Sequence, residues 1–293
     1  MSTLPYVSAA AFKAHPTYLD LNDLRSGSSS PGDQTAELTN VLLMASAWAD
    51  GQTQQRLGAH ASTQRLRQRL DRYGQLNIHA DRNPVRTVTA IAWGYSPSPL
   101  NPVTDLTQMW IEDGRQIITQ LAEASIPASA GIQFGGTSPM GELFIQLNYT
   151  SGWVATVLEA ASDAGAMSLS VVDPTGIEPG GEYRIWEPGS EETVTVAQSW
   201  VPTTVAAPTT VPLASGAVFA HTAGHDFSGM PADMRLAVIN YAISQLMRPD
   251  TAAEDSYPDT SLGSGTRQND PRQDGSGLVA EAARILTRYA RVR

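Results

Sequence analysis

The chain has 293 residues, of which 41% are hydrophobic and 16% charged, with a formal net charge of −10. That length exceeds one average domain and the apolar content supports buried cores. The absence of cysteine excludes disulfides, thiolate catalysis and Cys-based zinc sites, and no apolar run approaches the roughly 18 residues of a membrane helix, so no membrane partner is expected.

Residues 1–29 read as an N-terminal arm that ends in the RSGSSS run and carries no signal-peptide pattern. Ser30, Pro31 and Asp33 then form a helix start close to a capping box. Leu38, Val41, Leu42, Ala45 and Trp48 recur behind it at helical spacing and make one packing stripe. A second helix is predicted over Ser62–Tyr73, with Leu66, Leu70 and Tyr73 on one face and Arg65, Arg69 and Arg72 on another.

From Gln75 the period becomes alternating. Leu76 and Ile78 predict one strand, and Val85, Val88 and Ile91 a second that ends at Trp93-Gly94. MWIEDGRQIITQL reads as a hairpin turning at Asp113-Gly114, and Glu142–Tyr149 as a further strand. Residues 154–224 carry SLSVVD, EYRIWE and ETVTVAQ between Gly and Pro turns, a spacing that predicts a small antiparallel β-barrel or sandwich.

The helix after Pro231 is apolar nearly all round, with Val238, Ile239, Tyr241 and Leu246 among its packing positions. Residues 249–277 have almost no large apolar side chain and predict a disordered linker. A last amphipathic helix within 278–293 sets Ile285 and Tyr289 on one side and Arg284, Arg288 and Arg291 on the other. It reads as a tethered docking element. The arginines and the apolar residues beside them are the candidate protein-interface residues.

Charge is partitioned along the chain. Residues 52–86 hold seven Arg against Asp71 and Asp81, a net +5, whereas residues 151–230 hold nine acids against Arg184, a net −8. The acidic part disfavours nucleic acid, and the basic stretch favours a phosphate or an acidic protein. Arg outnumbers Lys eighteen to one, a usage suited to planar, bidentate interface pairs.

No constellation of catalytic residues is legible, so no enzyme activity, cofactor or metal is expected. His221, His225 and Asp226 carry metal-ligand chemistry, but Gly224 and the preceding strand predict a loop with solvated histidines. Glu191-Glu192 and Glu112-Asp113 read as solvated hairpin tips and not as an acid and base pair. Trp186 and Trp200 read as packing or as the rim of the β unit, ahead of sugar stacking.

The order of ELTNVLLMASAWAD, a basic helix, GQLNIHADRNPVRTVTAIAWG, a hairpin, a small β unit and MPADMRLAVINYAISQLMR resembles the head-to-tail adaptor (connector) proteins of long-tailed phages, those of actinobacteria in particular. AGAMSLSVVDPTGIEPGGEYRIWEPGSEETVTVAQ looks like the β insertion of larger members. The resemblance implies an α+β chain with a helical adaptor core at 30–153 and 225–248 and an inserted β domain at 154–224.

It also implies a virion protein of the neck, assembled in the host cytoplasm into a homo-oligomeric, dodecameric ring. Its partners would be further copies of itself, the portal protein and a tail-side stopper or tail terminator, with DNA passing through the lumen without sequence-specific binding. A rival reading is a tail-associated module whose β domain recognises a host surface glycan or protein.

Overall fold

The computed structural model describes residues 4–17, 19–22, 24, 30–71, 75–120, 142–203, 205–255 and 276–291. In chain order it begins with α1 (Ala9–Ala14) and α2 (Pro31–Thr53). Seven strands follow: β1 (His60–Gln68), β2 (Gln75–His79), β3 (Val85–Gly94), β4 (Asn101–Pro102), β5 (Met109–Glu112), β6 (Gln116–Gln120) and β7 (Leu143–Ser151). Six more are β8 (Ala155–Val157), β9 (Ser168–Val171), β10 (Glu182–Trp186), β11 (Glu192–Thr195), β12 (Thr209–Pro212) and β13 (Asp226–Ser228). The chain closes with α3 (Ala232–Asp255), α4 (Ser276–Leu286) and a 3-10 turn at Thr287–Tyr289. It divides into two compact units: Met1–Gly58 with Trp153–Arg293, and Ala59–Gly152.

The expected helical adaptor core is overturned. The described residues form four sheets, and two of the three buried apolar clusters are made by β segments; the mixture is α+β with β-sheet as its main framework. The predicted helix over Ser62–Tyr73 is the clearest correction, because β1 takes its first part, through Gln68, and pairs antiparallel with β7 from His60↔Ser151 to Gln68↔Leu143, while Arg72 and Tyr73 lie outside the described residues. Its residues alternate in exposure along the whole strand, as a period of two requires. Thr63, Arg65, Arg67 and Arg69 lie on the exposed set. The helical spacing of Arg65 and Arg69 is equally an every-fourth position on a strand, and nine paired residues decide between the two.

In the unit Ala59–Gly152, one sheet has the order β1-β7-β3-β4 and another β2-β6-β5. Leu76, Ile78, Ile91, Ile117, Leu143, Ile145 and Leu147 form its buried core. Asp113 and Gly114, at φ 50 and 61, turn the chain between β5 and β6 in the left-handed region that Asp and Gly tolerate.

In the other unit, α1, α2, α3 and α4 share a cluster containing Phe12, Leu38, Val41, Leu42, Met234, Val238, Ile239 and Ile285. Trp48 stacks on Tyr241 with ring centroids 4.1 Å apart, and Leu246 packs partly buried on the same cluster. Beside the helices, the sheet β11-β10-β13-β8 and the pair β12-β9 enclose Val171, Tyr183, Ile185, Val196, Val211 and Phe227. Helix α3 extends to Asp255 and α4 starts at Ser276; the rest of the expected linker, 256–275, lies outside the described residues.

Candidate functional site

Two buried polar networks cross-tie the unit Met1–Gly58 with Trp153–Arg293. The first begins with Arg235, one turn into α3 and 4% exposed. Its Nη2 donates to Asp226 Oδ2 at 2.6 Å and its Nη1 to the Tyr6 carbonyl at 3.1 Å. The guanidinium lies 4.7 Å from the Trp186 ring, a cation–π distance. Asp226, on β13, also accepts the Ser8 N–H at 2.9 Å. One ion pair therefore joins the N-terminal arm, the β-sheet and α3.

Close by in sequence, the Tyr6 hydroxyl donates to Asp50 Oδ1 at 2.7 Å and accepts the Gly58 N–H at 2.9 Å. Burial, followed by the neighbouring Asp50 carboxylate, pushes the Tyr6 hydroxyl well above the ordinary tyrosine value. Burial likewise raises the Asp50 carboxyl, although hydrogen bonds from Leu57 and Tyr6 oppose it.

The second network replaces the solvated histidines expected from HTAGHD. His221 is 2% exposed; its Nδ1 lies 2.9 Å from Glu187 Oε2 and its Nε2 2.7 Å from Glu192 Oε1. Each ring nitrogen of His221 thus faces a carboxylate oxygen at hydrogen-bond distance, one from either side of the β10–β11 turn. Glu192 also accepts the N–H groups of Val218 at 2.8 Å and Phe219 at 3.0 Å. Glu187 binds Thr222 through its hydroxyl at 2.7 Å.

Burial raises both carboxyls, but these hydrogen bonds outweigh it and hold Glu187 and Glu192 below the ordinary value of 4.5. Glu192 is therefore a buried clamp and not part of a solvated hairpin tip. The carboxylates are taken up by the imidazole and backbone, and among the described residues no group of three or more His, Asp and Glu is disposed to hold a metal ion.

The candidate interface residues fall into three situations. Arg65 and Arg67 are exposed on one face of β1, and Arg69, just past its end, is exposed as well. Arg65 Nε donates to Gln146 at 3.1 Å, while Arg67 and Arg69 lie 4.0 and 3.9 Å from Glu142. Arg72 lies outside the described residues. At the C-terminus, Arg284 pairs with Glu281 at 2.6 Å on the exposed side of α4 and Arg288 lies 3.8 Å from Asp233.

Ile285 and Leu286, by contrast, are buried in the helical cluster. Tyr289 meets Trp153 edge-on at 5.5 Å, and its hydroxyl donates to Asp233 at 2.7 Å. Burial and then that carboxylate push the Tyr289 hydroxyl up to about 12. The Arg291 N–H donates to the Thr53 carbonyl at 2.9 Å, and Gln55 Nε2 donates to the Tyr289 carbonyl at 2.8 Å. The C-terminal helix is thus seated on its own chain.

Trp200 is 9% exposed and donates from Nε1 to the Ile177 carbonyl at 2.9 Å. Sequence reasoning missed the Asp226–Arg235 pair. Its signal was an arginine on a helix apolar nearly all round, where a buried charge needs a partner.

No family model matches the chain and no curated protein matches it. Among solved structures it is similar to a chain described as "Neck of empty GTA particle computed with C6 symmetry", at 15% identity, covering 100% of this chain and 94% of that one, with a TM-score of 0.37. A score of 0.37 at that identity establishes neither a shared fold nor a shared role.

Proposed function

We propose that the chain is a structural component of the neck of a phage-like particle, forming a homo-oligomeric ring that joins the portal vertex of the head to the tail and encloses the DNA channel. The observation that carries this reading is where the chain places its charge. Asp226, Arg235, His221 and Glu192 are buried and bind the chain to itself, while Arg65 and Arg67 on β1, and Arg69 just past its end, are exposed. A structural subunit uses charge in these two ways: inside to fix a shape, outside to meet a neighbour.

The resemblance in element order supports the placement at the neck, between portal and tail-side stopper or terminator. It is weaker at the stretch where a basic strand replaces the basic helix. A net charge of −10 suits a channel wall along which DNA slides without sticking, since binding is dominated by phosphate neutralisation. Native mass spectrometry of the full chain, alone and with portal protein, tests the reading. A closed multimer is expected, and a strict monomer under both conditions sinks it.

A further inference from the structure

The chain carries one exposed basic stripe and one exposed acidic segment, and neither is neutralised by its surroundings. In the stripe, Arg67 and Arg69 share a single carboxylate, Glu142, at 4.0 and 3.9 Å. Among the described residues Arg65 is held through its Nε alone, by the Gln146 side chain at 3.1 Å. Most of the fork-shaped donors of these guanidiniums are therefore left for a carboxylate from outside.

An apolar cleft adjoins the stripe. Strand register sets Arg67 opposite Phe144, with the guanidinium 4.8 Å from the ring centre, and sets Gly94 of β3 opposite Phe144 on its other side. A Cβ at Gly94 would lie 3.1 Å from the Pro99 carbonyl oxygen and 3.2 Å from that of Ser96, so glycine here lets the following loop turn back beside Phe144. Arg65 and Arg67, Pro97 and Leu100, and Phe144 between them border a cleft of about 370 Å³.

The segment between β8 and β9 is its complement. Glu159 and Asp163 are exposed, and among the described residues neither carboxylate meets a cation. Met167, 58% exposed, follows them, and the surrounding residues 151–230 carry a net −8. The backbone underneath is fixed. The N–H groups of Glu159, Ser162 and Gly165 donate to the carbonyls of Ser170, His221 and Ala217 at 2.9, 2.9 and 2.7 Å, and the Met167 carbonyl accepts from Leu213 at 2.8 Å. A segment held this way loses little conformational freedom when it docks.

We propose that the Glu159–Met167 segment of one copy lies across the Arg65–Arg67–Arg69 stripe of a second copy, its carboxylates on the guanidiniums and Met167 in the cleft against Phe144. Opposite charge sets the register of the contact, and a thioether beside an aromatic ring adds attraction. The two surfaces differ, so the contact is heterologous, and repeated head to tail it makes a ring when its rotation closes. The inference rests on the ring reading above and names the contact that would build the ring.

The test reverses the charges in the full chain and follows assembly by native mass spectrometry and sedimentation at low and high salt. R65E/R67E and E159R/D163R should each raise the concentration needed for self-association roughly 100-fold at low salt. Their melting curves should stay close to that of the wild type, because all four side chains are exposed. Equimolar mixing of the two should restore assembly, since each stripe then meets a segment of opposite sign. Met167→Ala should weaken assembly about tenfold at low and high salt alike, because apolar burial is not screened. A Met167→Ala chain that assembles like the wild type overturns the seating in the cleft. If either reversed chain assembles like the wild type, or the mixture stays apart, the contact is overturned and the ring stands. Unchanged assembly with loss of duplex DNA binding in R65E/R67E also overturns it and gives the stripe to nucleic acid. A wild-type chain that is strictly monomeric, alone and with portal protein, overturns both contact and ring.

Discussion

The two units place arginine in opposite situations. In one, Arg235 is buried, paired with Asp226 at 2.6 Å and stacked on Trp186. In the other, Arg67 and Arg69 keep 65% and 66% of their side chains exposed and reach Glu142 only at 4.0 and 3.9 Å. The same guanidinium therefore does two jobs. Enclosed, its fork ties three chain segments together at a cost in desolvation that only good geometry offsets. On an exposed strand it adds little to the fold and remains available to an acidic partner.

The contrast is broken most directly at Asp226. Asp226→Ala leaves Arg235 buried without its carboxylate and should lower stability by roughly 3–5 kcal/mol, read as a shift of the urea midpoint in the full chain. A loss no greater than that of a surface arginine variant would remove the distinction between the units.

Acidification should act next, and on the same unit. Glu187 and Glu192 have folded values below the ordinary 4.5. Their contribution is therefore present above pH 4.5 and is lost as pH falls through the folded values. Hydrogen exchange near pH 3 should show loosening at 182–195 and 217–222 before the strands of 59–152. In Glu192→Gln that acid-dependent step should shrink.

The smallest effect belongs to the exposed stripe. Replacing Arg65, Arg67 or Arg69 singly by Ser should change stability by no more than about 0.5 kcal/mol. The triple variant should lose salt-dependent binding to acidic partner surfaces, and a change in unfolding midpoint larger than that of D226A would invert the comparison.

Much of the fold was legible where periodicity was unambiguous. Helix α2, helix α3 and strands β2, β3, β5, β6 and β7 fall where alternating or helical apolar spacing put them. The failure at Ser62–Tyr73 has a physical cause: with only Leu66 and Leu70 as large aliphatics, the segment has too few apolar residues for its period to be read. Long-range pairing with β7 then decides its conformation. The His221 network was illegible for a different reason. Glu187, Glu192 and His221 are separated by up to 34 residues, and loop sequence alone does not say which side of a turn faces inward. The local pattern that reads as a solvated tip also suits a clamp once β11 turns Glu192 toward the interior.

The seating of the C-terminal segment on α2 has a consequence for how the chain folds as it is made. Gln55 meets Tyr289 across 234 positions, Arg235 meets Tyr6 across 229, and Ser8 meets Asp226 across 218. Contacts this distant close large loops, and their entropy is lost before they return any stabilisation. During synthesis the apolar stripe of α2 emerges early and waits for α3 and α4, while the segment 59–152 finds its strand partners within its own span, from the local β5–β6 hairpin to the pairing of His60 with Ser151. The nascent chain thus presents a sticky helix for most of its synthesis, so chaperone capture of that helix, rather than the chemistry of any site, is expected to set the yield of assembled protein.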